Sequence, residues 1–154
     1  MTELSIQLLS SVPGLPPMLQ TIHLLGLAML MASAVMMNLR VLNLAGRRQQ
    51  LPEVIQRLFP WLFWALPVML LSGLPFLLAR PQRYLNNPVF AYKAAFLSLA
   101  LLATLILWFA YKRGVVQQQS WQIKLLALLS LAAWLMTAMA GRWIAYSDYL
   151  FWPG

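Results

Sequence analysis

Cysteine is absent from the 154 residues, histidine occurs once, and Asp and Glu together number three. Without thiols the chain has no disulfide, no cysteine zinc site and no thiol nucleophile, and it carries no redox address. The carboxylates are Glu3, Glu53 and Asp148, so paired acid and base groups or a hard-cation site inside the fold have almost no candidates. A phosphate loop, a Ser-His-Asp set and an HExxH pair are also missing. Hydrolytic chemistry is therefore disfavoured and no catalytic residue is expected. Proton-coupled transport is poorly served too, since no carboxylate falls at a bilayer midplane.

Charge is equally scarce. With 62% hydrophobic and 9% charged residues, the chain has too little polar surface to cover a water-soluble globule of its size. Four runs, at about 18–39, 58–79, 89–111 and 121–146, have the roughly 20 apolar residues that a helix needs to cross about 30 Å of hydrocarbon. The connections AGRRQQLPEVIQR, ARPQRYLNNP and KRGVVQQQ are short and leave no soluble domain. These features predict an all-α, polytopic membrane protein, a single up-down bundle of four transmembrane helices over residues 1–154. The first seventeen residues, MTELSIQLLSSVPGLPP, carry no Lys or Arg and so lack the basic start of a cleavable signal. They are expected to be retained as an interfacial segment, helical over Ser5 to Val12 and stopped by Pro13, Gly14, Pro16 and Pro17.

The net charge of +8 does not point to nucleic acid, because the basic residues sit at span ends and form no basic face. Arg40, Arg47, Arg48, Arg57, Lys112, Arg113 and Lys124 flank one side of the bundle; Arg80, Arg83, Lys93 and Arg142 flank the other. Lys and Arg are retained in the cytoplasm, so the seven-to-four bias places both termini outside, in the periplasm of a Gram-negative cell.

On this reading His23 lies roughly 7.5 Å inside the outer boundary of the first span, and Arg80, Lys93 and Arg142 occupy the same side. The three long cations either snorkel to headgroups or serve a site. His23 has no stem with which to snorkel. It is either a neutral ring bonded to a neighbouring helix or a ligand. Met139 falls at a similar depth, which predicts that His23 points into the bundle towards Met139 and Arg142 of the fourth span. The methionines of MLMASAVMM are ordinary core filler, whereas Met136 and Met139 are candidate soft ligands. Ala133, Thr137, Gly141 and Ala145 recur every four residues and predict a packing seam. Pro60, Pro67 and Pro75 predict a bent second span.

The stretches TIHLLGLAMLMASAVMMNLRVLNLAGR, RLFPWLFWALPVMLLSGLPFLLARPQRYLNNPVFAYKAAFL and AGRWIAY resemble a family of small bacterial four-helix membrane proteins of unknown function, over nearly the whole chain. The resemblance marks His23, Gly26 and Leu27 (HxxGL), Asn38 to Leu42, Ser72, Gly73 and Phe76, the NPxFxxK run of Asn87, Pro88, Phe90 and Lys93, and GRWIAY at Gly141 to Tyr146. Asn38 and Asn43 depart from the aspartate and glycine commoner there. The first-span histidine is more distantly similar to the membrane part of copper resistance protein D and to small b-type cytochromes.

Three functions fit these residues. A non-catalytic inner-membrane subunit or scaffold, whose outward cations meet membrane lipid, another membrane subunit or a second copy in a homodimer, asks least of the sequence and ranks first. A b-type haem module would use His23, alone, with Met139 or with its copy in a dimer, and pair Arg142 and Lys93 with the propionates. Copper handling would use His23 with Met136 or Met139 as Cu(I) ligands. The topology is open to direct test: reporter fusions at the C-terminus are expected to signal from outside the cytoplasm, and a cytoplasmic signal would overturn the assigned orientation.

Overall fold

The computed structural model describes residues 6–7, 11–118 and 120–150, of which 145 and 147–150 by backbone alone. Among these residues the chain is helical, without strands. The helices are α1 (Leu15–Val41), α2 (Leu51–Ala79), a short α3 (Pro81–Leu85), α4 (Pro88–Lys112), a 3-10 turn at Val115–Gln118, and α5 (Trp121–Leu150). Thus α1, α2, α4 and α5 correspond to the four expected spans, and each contains a segment long and apolar enough to cross a membrane. They pack as an up-down bundle.

Local chemistry sets the ends. Prolines in the first turns of α1, α2 and α4 occupy positions whose N–H groups have no intrahelical acceptor, so α1 begins at Leu15. This start is three residues before the sequence-based boundary at 18. Of the interfacial turns expected over Ser5 to Val12, residues 5 and 8–10 lie outside the described residues. Asn87 accepts a hydrogen bond from Val89 N at 2.9 Å and caps α4. At the other end of α1, Asn43 adopts a left-handed φ of 58°. Leu44 N then reaches Leu39 O at 2.9 Å and Asn43 N reaches Arg40 O at 3.1 Å, the double closure that ends a helix through a left-handed residue. Asparagine tolerates this region where most residues do not. Arg40 locks the following loop by donating to Gln49 O at 3.0 and 2.8 Å and to Asn43 Oδ1 at 2.8 Å. The second span is one unbroken helix over Leu51–Ala79 despite Pro60, Pro67 and Pro75 inside it.

Two antiparallel hairpins, α1/α2 and α4/α5, join along α1 and α5. The remaining side is closed by large side chains. Phe59 of α2 stacks on Trp108 of α4 at 3.7 Å between centroids, and Gln56 donates to the Tyr111 hydroxyl at 2.7 Å. The core forms three layers. Met37, Ile55, Leu107 and Ile123 represent the one near the α1–α2 loop, and Leu30, Leu62, Ala100, Ala133 and Trp134 the central one. The third, at the end bearing α3, holds Val89, Ala140 and Ile144; α1 and α2 contribute nothing to its buried core. Outward faces carry large apolar groups, among them Leu25, Trp64, Leu71 and Phe109, a surface suited to hydrocarbon.

At the α3 end α1 and α2 approach closely because Gly26 faces α2. A Cβ there would lie 3.2 Å from Val68 Cγ1 and 3.3 Å from Met69 Sδ. Gly26→Leu is therefore expected to destabilise the bundle by about 1–3 kcal/mol through overpacking, read as a lowered unfolding midpoint in detergent.

Candidate functional site

Where the apolar core thins at the α3 end, polar side chains from three helices meet the bare backbone of two glycines. His23 of α1 is part-buried, and its Nδ1 lies 3.0 Å from Ser72 Oγ of α2. Ser72 Oγ also lies 2.6 Å from Val68 O. A carbonyl accepts only, so the hydroxyl donates its single hydrogen to Val68 and must accept from His23 Nδ1–H. This assigns the neutral ring to the Nδ1–H tautomer and leaves a lone pair on Nε2. The ring lies against Gly73, where a Cβ would stand 3.1 Å from His23 Cε1. Serine and glycine side by side thus supply the acceptor and the space for the imidazole.

Lys93 reaches this layer from α4. Its Cε and Nζ each come within 3.7 Å of the position a Cβ would take on Gly141 of α5, and its charge is within electrostatic reach of His23. Lys93 lies five residues beyond the first residue of α4, roughly 8 Å along the helix. Among the described residues the only acidic side chain is Glu53, exposed in the first turn of α2 at the opposite end of the bundle. The Lys93 ammonium therefore has no carboxylate partner among them.

The expected approach of His23 to Met139 and Arg142 is not what the structure shows: the ring faces α2. Met139 is 46% exposed. Arg142 is also exposed, donates to the Tyr146 hydroxyl at 3.1 Å and lies 5.1 Å from that ring. The reason is azimuth. Ala133 and Thr137 are buried and Gly141 meets Lys93, so these positions turn inward; Met139, two residues from both Thr137 and Gly141, lies about 200° around the helix from each. The face that Met139 occupies on its helix turns it away from the interior. Met136 is half-buried, and the Ala145 side chain lies outside the described residues. Among the described residues no three His, Cys, Asp or Glu side chains gather.

Sequence reasoning did not connect Ser72 and Gly73 to His23. The available signal was a hydroxyl beside a glycine at matching depth in the adjacent antiparallel helix. It also passed over a second polar group nearer the opposite end, where Asn38, Thr104, Ser130 and Trp134 meet between α1, α4 and α5.

The His23–Ser72 bond predicts energetic coupling. His23→Ala and Ser72→Ala are each expected to lower stability in detergent, and the double variant to lose less than the sum. Double-mutant analysis should give a coupling of about 0.6 kcal/mol and at most ~1.7 kcal/mol, the range for hydrogen bonds between membrane helices. Strict additivity would show that the contact carries no energy.

No curated protein and no solved structure matches the chain. A protein family does, along residues 15–147, a span that takes in every residue of the site described above. The chain thus belongs to a family of unknown function (DUF6644).

Proposed function

We propose that this protein is a non-catalytic, multi-pass component of a bacterial inner membrane, a scaffold or subunit that holds an anionic group, foremost the phosphate of a lipid headgroup, at the α3 end of its bundle. The observation that carries this reading is the Lys93 ammonium, set against Gly141 with no carboxylate partner among the described residues. A cation inside a membrane bundle is costly unless it is paired, and an anion entering from the interface removes that cost. Arg80 and Arg83 lie at the same end and raise the local positive potential that attracts anionic lipid. Ser72 and the neutral His23 have already committed their hydrogens, so Lys93 is the donor and the other two shape the pocket. The charge bias of the loops supports placing this end on the periplasmic side.

The tautomer of His23 supports a second reading. A histidine that donates Nδ1–H to a neighbour presents Nε2 in the manner of a metal or haem ligand. Met139 faces away, so a second axial ligand would come from another copy of the chain. A Soret band in the purified protein, lost in His23→Ala, is the expected sign; a colourless, metal-free preparation would remove this reading.

For the anion site the measurement is lipid retention. Purified protein titrated with phosphatidylglycerol or phosphatidylcholine in native mass spectrometry is expected to retain the anionic lipid preferentially. Lys93→Gln should lose most of that preference, and Arg142→Gln should keep it. Equal retention by Lys93→Gln and the parent protein would overturn the assignment.

A further inference from the structure

The second polar group, on the side of the central layer nearer the α1–α2 loop, has a hydrogen-bond inventory that does not close on protein atoms alone. Asn38, Thr104, Ser130 and Trp134 are all buried. Asn38 Nδ2 spends its two hydrogens on Ala34 O at 2.8 Å and Ser130 Oγ at 3.3 Å. A flipped amide would set two acceptors face to face at Ala34, so Oδ1 is held on the other side. There it has no protein donor among the described residues, although Asn38 is only 4% exposed. Buried acceptors left in this state are rare.

A hydrogen is also left over. Trp134 Nε1 donates to Thr104 Oγ1 at 3.0 Å, and Thr104 and Ser130 hydroxyls lie 3.4 Å apart, a contact that uses one of their two hydrogens. Neither hydroxyl has another bond among the described residues beyond the one that Ser130 accepts from Asn38. Whichever one donates, the network retains one hydroxyl hydrogen too many and one amide oxygen too few in donors. Asn38 and Thr104 both line a cavity of about 10 Å³, walled otherwise by apolar groups including Met37, Ile55, Leu62 and Trp108. That is room for about one water molecule.

We infer that this cavity is a binding site for a single buried water, which donates to Asn38 Oδ1 and accepts from the Thr104 hydroxyl. Hydrogen bonds then run in a closed ring from Asn38 Nδ2 to Ser130, from Ser130 to Thr104, from Thr104 to the water and from the water back to Asn38. Only a guest that both donates and accepts closes it. A metal cation cannot accept the hydroxyl hydrogen, a simple anion cannot donate to the amide oxygen, and an apolar guest meets neither need. The ring ties α1, α4 and α5 together, while α2 supplies only the apolar wall.

The test is an experimental structure of the full chain in lipid nanodiscs at a resolution that shows ordered water, for the parent protein, Thr104→Val and Thr104→Ser. Density within hydrogen-bond distance of both Asn38 Oδ1 and residue 104 is expected in the parent and in Thr104→Ser, and its loss is expected in Thr104→Val. Should Thr104→Val fail to fold, the parent and Thr104→Ser decide. An empty cavity in the parent, a protein donor on Asn38 Oδ1, unchanged water in Thr104→Val, or a peak with the short multiple oxygen contacts of a metal ion would each overturn the inference.

Discussion

Inside an apolar bundle no bulk water is available to a polar side chain, so each such group must find a partner on its own helix or a neighbouring one. That constraint organises this protein. His23 meets Ser72, which is itself committed to Val68 O. Asn38 meets Ala34 O and Ser130, and Thr104 takes the indole N–H of Trp134. Helix positions that apolar packing would allow to slide are held in register by these directional contacts.

The two polar groups join different helices. The one containing Asn38 connects α1, α4 and α5. The His23–Ser72 bond attaches α2 to α1 at the other end of the bundle. Because α2 and α4 meet through bulky side chains such as Phe59 and Trp108, α2 depends on α1 for its placement, through Gly26 against Val68 and Met69 and through Gly73 against the His23 ring. The glycines matter for what they leave vacant: one admits a helix, one an imidazole, and Gly141 the end of Lys93.

Lys93 is the departure from full satisfaction. Every hydrogen that His23 and Ser72 could offer is already used within the bundle, whereas the ammonium against Gly141 lacks a carboxylate among the described residues. A charge inside a bundle carries an energetic cost unless it is paired, and in the proposed function an anion from outside the chain supplies that pairing. The proposed headgroup site asks only for that cation and needs no acid and base groups.

The class of fold was legible in the sequence, because span length and apolar content depend on composition alone: four runs of sufficient length and short polar loops leave an up-down bundle as the simple arrangement. The depth of His23, Lys93 and Arg142 was also legible, since rise per residue is constant along a helix. Which face each residue turns to its neighbours was not, because near-uniformly apolar helices such as α1 and α4 carry little amphipathic signal to set their rotation about the axis. Met139 could have been turned away from the interior by taking Ala133, Thr137 and Gly141 as the inward face. The choice of Ser72 as the partner of His23 needed the α1–α2 contact itself. Depth is a property of one helix and follows from counting residues; azimuth is a property of a pair, decided where Gly26 and Gly73 let two helices close and their polar groups come within bonding distance.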